Sequence, residues 1–186
     1  MFVFAHISDV HFDTADRALG RVRQVMTWLR GMPLDAILVT GDIADHGAVP
    51  EYEEARDELV ADGVPVLILP GNHDERAAYR KVLLDGDGVE PINVARVVDG
   101  VLFALCDSSI PGRNEGLLAD TTIDWLRHRL DEHDGPAFVC LHHPPVMLHQ
   151  PLIDGIRLGD SEPLAAVVAD HPNVVAVLCG HAHTAA

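Results

Sequence analysis

Residues 36–45 read AILVTGDIAD and place an apolar run directly before two carboxylates. The run from Ala36 to Thr40 is rich in β-branched residues, which predicts a buried strand. Gly41 interrupts the run, and Asp42 and Asp45 follow in what should be a loop. Because ligands in an open α/β sheet gather where the strands end, this stretch predicts a site at the carboxyl edge of a sheet.

Short apolar runs of the same kind alternate with amphipathic stretches of helical length along the chain. The predicted strands cover residues 2–7, 36–40, 64–69, 94–98, 101–106, 137–141 and 174–179. The predicted helices cover residues 16–30, 50–61, 74–84, 121–132 and 162–169. This alternation is typical of an α/β domain, and the pair Asp99-Gly100 between two apolar runs predicts a hairpin, so the strands should be of mixed direction. With 186 residues, no repeat and no linker, the chain is expected to form one domain, residues 1–186.

The chain is strongly acidic, with 29 acidic and 13 basic residues and a formal net charge of −16. Such a surface repels the phosphate backbone of nucleic acid, so DNA and RNA polymers are not expected as partners. A phosphate-bearing substrate would need a local positive charge, which a bound metal ion can supply.

The N-terminal residues, MFVFAHISD, contain neither a basic segment nor an apolar stretch long enough for a signal peptide or a membrane span. We therefore expect a cytoplasmic protein without a membrane partner. Three cysteines, Cys106, Cys140 and Cys179, lie in apolar runs, which favours small core residues over disulfide partners.

Residues with metal-binding side chains follow most of the predicted strands. Seven of them offer oxygen or imidazole ligands: Asp9, His11, Asp42, Asn72, His142, His181 and His183. Seven ligands are too many for one tetrahedral ion, whereas two ions that share a carboxylate would use the whole set. Because the set contains no thiolate, it suits Fe, Mn or Zn.

Five ordered motifs make the sequence resemble the calcineurin-like metallophosphoesterases over nearly its whole length. The motifs are Asp9-Val-His11, Gly41-Asp-Ile-Ala-Asp45, Gly71-Asn-His-Asp74, His142 and Gly180-His-Ala-His183. The resemblance implies a β-sandwich of mixed sheets flanked by helices. Members of this family normally continue past the last motif with further strands, so the resemblance also implies that the C-terminal part of the domain is missing.

The resemblance also assigns roles to the ligands. One ion is expected on Asp9, His11 and His183, the other on Asn72, His142 and His181, and Asp42 is expected to bridge them. A hydroxide held between the ions would attack phosphorus in line. His73 is expected to stabilise the transition state or to protonate the leaving oxygen, with Asp45 holding its ring, and Asn72, His73 and His143 are expected to contact the substrate.

Several other residues are less clearly assigned. Asp107 follows a predicted strand, and either lies near the metals or caps the next turn. The histidines outside the motifs are expected to be solvated or satisfied in the core: His46, His128, His133, His149 and His171. Two long loops, residues 108–118 and 144–160, are expected to form a substrate rim.

The resemblance favours hydrolysis of a small phosphodiester, with a 3',5'-cyclic nucleotide as the leading substrate. The Gly71-Asn-His-Asp74 motif and the segment LHHPP at residues 141–145 are most similar to class III cyclic nucleotide phosphodiesterases and bacterial glycerophosphodiesterases. Phosphoprotein phosphatases carry an arginine where this chain has His46, which counts against that class. The alternatives are a glycerophosphodiesterase or a broad-specificity phosphomonoesterase, followed by a nuclease or a non-catalytic scaffold. Because an incomplete sandwich would expose a strand edge, a homodimer is a further expectation.

Overall fold

The computed structural model describes residues 1–183, with only the backbone for Asp16, and its strands and helices alternate along the chain. The strands are β1 (Phe4–Ile7), β2 (Ala36–Thr40), β3 (Val66–Leu69), β4 (Val94–Val98), β5 (Val101–Leu105), β6 (Ala137–Cys140) and β7 (Val174–Leu178). The helices are α1 (Asp16–Arg30), α2 (Val49–Glu58), α3 (Arg76–Leu83), α4 (Asp120–Asp131), α5 (Pro151–Gly155) and α6 (Glu162–Asp170).

The strands form two sheets. The first contains three parallel strands in the order β1-β2-β3, and the second contains four strands in the order β4-β5-β6-β7. In the second sheet only β4 and β5 are antiparallel, joined by the hairpin at Asp99 and Gly100, and β5, β6 and β7 are parallel. The predicted hairpin and the mixed direction of the strands are therefore confirmed.

The two sheets pack face to face and carry helices on their outer faces. Alternate residues of β2 separate these layers, because Leu38 packs with Phe103 of β5 in the core between the sheets, whereas Ile37 and Val39 pack on the side of α1 and α2. A second outer core joins β5 and β6 to α4 and α6. Each fully buried large side chain, such as Phe103, contributes about 1.5–3 kcal/mol relative to an exposed one. This is the predicted sandwich of mixed α/β class.

The predicted elements are all present, with ends that shift by a few residues. The structure also contains one helix that the sequence did not predict, α5, which lies within the segment 144–160 expected to be a loop. The single-domain prediction for residues 1–186 includes residues 184–186, which lie outside the described part of the chain. Within residues 1–183, no helix combines the length and the apolar character needed to cross a bilayer.

Candidate metal centre

Five strands deliver the seven predicted ligands to one end of the sandwich. Asp9 and His11 follow β1, Asp42 follows β2, Asn72 follows β3, His142 follows β6, and His181 and His183 follow β7. Because these strands run parallel within their sheets, their carboxyl ends meet at the same edge. The structure brings all seven side chains together.

The backbone at this edge is strained. Nine non-glycine residues of the described chain have positive φ, and five of them are predicted ligands: Asp9, His11, Asp42, His181 and His183, with φ between 47° and 69°. A left-handed conformation costs a non-glycine residue about 1–2 kcal/mol, so it persists only where the surrounding structure imposes it. Such strain is typical of functional sites.

Motif glycines make room for the ligands. A Cβ on Gly41, whose φ is +89°, would lie 2.4 Å from Nδ1 of His142. A Cβ on Gly71 would overlap the carboxylate of Asp42. The ligand loops therefore approach one another more closely than any other residue type would allow.

The first ligand group consists of Asp9, His11 and His183. Nε2 of His183 lies 3.3 Å from Oδ1 of Asp9 and 3.4 Å from Nε2 of His11. Oδ1 of Asp9 is buried and has no hydrogen-bond partner among the described residues. A buried carboxylate oxygen without a donor is costly, and a bound cation would satisfy it.

The second ligand group consists of Asn72, His142 and His181. Nε2 of His142 lies 3.1 Å from Oδ1 of Asn72 and 3.1 Å from Nδ1 of His181. Burial lowers the pKa of His181 to about 4, with a further contribution from His142. The His181 ring is therefore neutral near pH 7, which is the form that binds metal.

Asp42 lies between the two groups. Its Oδ2 is 3.7 Å from Nε2 of His11 and 3.4 Å from Nε2 of His142. Its Oδ1 accepts a hydrogen bond from the backbone N–H of His73 at 3.0 Å. Although burial alone would raise its pKa, the contacts with His142 and with this N–H hold the pKa of Asp42 well below its usual range.

The surroundings of the ligands also fit a metal centre. Nδ1 of His142 donates to the carbonyl oxygen of Thr40 at 2.8 Å, and Nδ1 of His11 donates to Oδ1 of Asp45 at 2.9 Å. Each contact places the ring hydrogen on Nδ1 and leaves the lone pair of Nε2 available to a metal, as is usual for metal-binding histidines. Ligand atoms about 2.0–2.2 Å from a shared tetrahedral ion lie about 3.4 Å apart, which matches the observed separations.

The contacts of His73 differ from the prediction. Nδ1 of His73 donates to the backbone carbonyl oxygen of Asp45 at 2.7 Å, whereas the Asp45 carboxylate is 3.8 Å away. That carboxylate instead accepts the hydrogen bond from His11. The expectation that the acid of Asp45 holds His73 is therefore corrected: the backbone of Asp45 holds His73, and its side chain orients His11.

Asp74 clamps together the two loops that carry Asp42 and Asn72. Its carboxylate accepts hydrogen bonds from the backbone N–H groups of Ile43, Ala44 and Gly71 at 2.8–3.1 Å. Burial raises the pKa of Asp74 to about 6 in spite of these three donors. The fourth residue of the Gly71-Asn-His-Asp74 motif is thus structural.

Asp107 caps a turn, which is one of the two alternatives for this residue. Its fully buried carboxylate accepts hydrogen bonds from the backbone N–H groups of Ser109 and Ile92. The guanidinium of Arg76 donates to it at 2.8 Å. Since Arg76 begins α3, directly after the loop of Asn72 and His73, this ion pair ties that loop to the second sheet.

His143 is fully buried beside the second ligand group. Its Nδ1 lies 2.8 Å from Oγ of Ser108, and its Nε2 lies 3.2 Å from the carbonyl oxygen of Asn114. Burial lowers the pKa of His143 to about 3, with a further contribution from His142. Both ring nitrogens are occupied, so the predicted substrate contact of His143 would require its ring to leave this position.

A cleft of about 600 Å³ opens above the ligands. Asn72, His73, Asn114 and His149 contribute polar side chains, and α5 with its flanks contributes an apolar wall of Pro151, Leu152, Ile153 and Ile156. Both predicted rim loops therefore reach the cleft. His149 is exposed, in line with the expectation that it is solvated or satisfied in the core, and it also lines the cleft. Its place outside any motif gave no signal of this, whereas its place in a long loop could have.

Known proteins are similar to this chain in sequence and in fold. The sequence profile of the calcineurin-like phosphoesterase family matches residues 2–185. The glycerophosphodiester phosphodiesterase GpdQ of Enterobacter lignolyticus is 36% identical over 97% of this chain and 70% of its own length. A cAMP/cGMP dual specificity phosphodiesterase of Mycobacterium tuberculosis is 32% identical over 98% of this chain and 62% of its own length.

A solved structure of a dimetal phosphatase from Danio rerio matches with a TM-score of 0.75 at 17% identity, over 98% of this chain and 82% of its own. This likeness confirms the fold. The chain spans 54–73% of the length of the curated relatives that it matches. Since the family profile extends over nearly every residue and the relatives agree with it, the chain belongs to the calcineurin-like phosphoesterase family.

Proposed function

We propose that this chain is a dinuclear-metal phosphodiesterase that hydrolyses a small phosphodiester. The observation that carries the proposal is the position of Asp42, whose Oδ2 faces His11 at 3.7 Å on one side and His142 at 3.4 Å on the other. A carboxylate shared by two ligand groups is what a pair of ions requires. The relatives, which are named as phosphodiesterases, support the same function.

The two ligand groups would each hold one ion. The residues for the first are Asp9, His11 and His183, and those for the second are Asn72, His142 and His181, with Asp42 shared. When bound, the ions would supply the charge that activates water and stabilises the negative charge developing on the phosphate oxygens. Fe, Mn and Zn all suit these oxygen and nitrogen ligands.

His73 is the candidate for work on the leaving group. Its Nδ1 carries a hydrogen because the carbonyl oxygen of Asp45 can only accept, so its Nε2 is available to a substrate in the cleft. To protonate the leaving oxygen, the ring must carry hydrogens on both nitrogens.

The charge of the cleft favours a diester over a monoester. Among the described residues, no lysine or arginine lines the cleft. A phosphomonoester carries a charge of about −1.5 to −2 near pH 7, whereas a diester carries a single charge. A site whose described residues include no lysine or arginine beside the ions therefore suits the diester better.

The shape of the cleft favours a cyclic nucleotide as the leading substrate. The apolar wall around Leu152 and Ile153 can cover the face of a base, and Asn114 can hydrogen-bond to its edge. A glycerophosphodiester offers no comparable flat group, and is the second candidate. A broad-specificity phosphomonoesterase is the third.

The test is an assay of the purified chain reconstituted with Mn, Fe or Zn. We expect two ions per chain and faster hydrolysis of bis(p-nitrophenyl) phosphate than of p-nitrophenyl phosphate. The His73→Ala variant should retain both ions but lose about 10²- to 10⁴-fold in kcat. His128→Ala, which changes a histidine on the exposed face of α4, is the matched control and should keep full activity.

Two results would contradict the proposal. One is a reconstituted protein that binds no metal, and the other is a His73→Ala variant that hydrolyses the diester as fast as the wild type. A panel of 3',5'-cAMP, 3',5'-cGMP and glycerophosphodiesters, assayed with each metal, then separates the first candidate substrate from the second.

The remaining expectations about partners and location stay predictions. The acidic balance supports a small-molecule substrate rather than a nucleic acid polymer, and salt-dependent binding to single-stranded DNA would contradict this. The three cysteines are free, which is usual for a cytoplasmic protein. The homodimer remains to be tested by sedimentation velocity over a wide concentration range.

A further inference from the structure

We propose that His143 is a positioning residue that locks the rim loop, residues 108–118, to the imidazole pair of His142 and His181. The inference rests on the proposed function, because it takes His142 and His181 as ligands of the second ion. It assigns His143 neither to the metal nor to the substrate. Its ring would instead fix the positions of the rim loop and of the two ligand imidazoles.

The hydrogen bonds of His143 exclude it from the ligand set in this arrangement. Proximity alone would admit it, since His142, His143 and His181 lie close enough to share an ion. However, the carbonyl oxygen of Asn114 can only accept, so Nε2 of His143 carries its hydrogen and donates it at 3.2 Å. The lone pair of Nδ1 then accepts from Oγ of Ser108 at 2.8 Å, and no donor atom is left for a metal.

The ring of His143 forms a wall against both imidazoles of the second ligand group. Its centroid lies 5.0 Å from that of His142, at an interplanar angle of 85°, and 4.7 Å from that of His181. His142 is also held by the carbonyl oxygen of Thr40. For His181, Nδ1 lies 3.1 Å from Nε2 of His142, but Nε2 is buried without a hydrogen-bond partner among the described residues, so packing against the His143 ring helps to fix its orientation.

The same ring anchors the rim loop. Asn114, whose carbonyl oxygen accepts from His143, lines the cleft together with Asn72 and His73. Gly116 follows two residues later, and a Cβ there would lie 2.3 Å from Cγ of His143. The loop can therefore pass this close only because residue 116 has no side chain. A displaced His143 would move Asn114 and His181 together.

Metal stoichiometry and KM give the test, with Mn²⁺ and bis(p-nitrophenyl) phosphate as probes. We expect His143→Ala to weaken the second ion about 10- to 100-fold, so that the bound Mn²⁺ falls from two ions per chain towards one. The lost anchor of Asn114 should also raise KM about five- to tenfold. His143→Gln, whose side-chain amide can still donate to Asn114, should restore KM more than it restores metal binding.

Two further variants change residues that contact the His143 ring. Ser108→Ala removes the partner of Nδ1 and leaves the Asn114 contact, so it should weaken the second ion with little change in KM. Gly116→Ala should displace the ring and reproduce both defects of His143→Ala.

His171→Ala is the matched control for a general loss of stability. His171 is also buried, and its ring bonds to the carbonyl oxygen of Val167 and to Asp131, but it lies just before β7, at the end opposite the ligands. It should lower the melting temperature while leaving Mn²⁺ stoichiometry and KM unchanged. The proposal is overturned if His143→Ala retains two ions at wild-type affinity and an unchanged KM, or if His171→Ala shows the same losses. Failure of the proposed function would show instead in the wild type, as no bound metal or no diester hydrolysis.

Discussion

Asp45 supports two neighbouring histidines through different atoms. Its carboxylate accepts from Nδ1 of His11, and its backbone carbonyl accepts from Nδ1 of His73. A substitution of the Asp45 side chain should therefore remove the support of His11 and keep the backbone contact that supports His73. The sequence cannot reveal this division, because the spacing of the motif is the same whichever atom makes each contact.

Asp45→Ala is expected to weaken the first ion and spare His73. The loss of the carboxylate frees the His11 ring, which should lower metal affinity at that group about 10- to 100-fold. Isothermal titration with Mn²⁺ measures this change. At saturating metal, kcat should fall less than in His73→Ala, and equal losses in the two variants would show that the carboxylate serves His73 after all.

The seven candidate ligands could be found from the sequence because each directly follows a predicted strand. The neighbouring residues could not be placed in the same way. The sequence could not decide whether Asp107 lies at the metals or caps a turn, because its partner Arg76 lies in α3, 31 residues earlier. His149 entered the cleft through a loop whose path no periodic pattern predicts.

At the scale of the elements, alternation and apolar period were sufficient to predict every strand and every helix of normal length. Helix α5 was missed because five residues are too few to show a period. The assignment of strands to two sheets also needed the family resemblance, because the same alternation fits one mixed sheet.

Gly41→Ala should destabilise the fold through a clash as well as through backbone strain. The new Cβ would meet the His142 ring at 2.4 Å, and the residue would have to keep its φ of +89°. We expect a loss of about 2–5 kcal/mol in the free energy of unfolding, measured in urea. Gly63→Ala is the matched control: Gly63 has a φ of +76° with no atom within 4 Å of its Cβ position, so it should lose only about 1–2 kcal/mol. Equal losses would mean that the ring moves aside freely.

Gly20→Ala should stabilise the protein. Gly20 lies inside α1 on the exposed side, and a Cβ there would have nothing within 4 Å. Alanine lowers the conformational entropy of the unfolded chain, which should add about 0.5–1 kcal/mol to the free energy of unfolding in urea. A loss of stability would indicate that α1 is not helical at this point in solution.

At the scale of the whole molecule, the chain carries a net charge of −16, and two of its carboxylates, Asp9 and Asp42, lie close together in the ligand cluster. Without cations, Asp9 and Asp42 repel each other at the convergence of both sheets. Metal binding should therefore stabilise the entire sandwich as well as the site.

Removal of metal is expected to lower the melting temperature. An ion at a hundredfold excess over its Kd adds about 2.7 kcal/mol, which for a chain of this size corresponds to roughly 5–11 °C. Calorimetry with EDTA and then with Mn²⁺ measures the shift. Asp42→Asn should show a much smaller rise, and an equal rise in that variant would place the stabilising ion elsewhere.

The left-handed backbone at five of the candidate ligands has a consequence for how this protein can evolve. Glycine adopts that conformation without cost, so exchanging Asp9, Asp42 or a ligand histidine for glycine would relieve strain while removing a ligand. A lineage could thus lose its chemistry without losing its fold. In a deep mutational scan selected only for folding, these positions should tolerate glycine and reject valine and isoleucine, the reverse of ordinary strand-end positions.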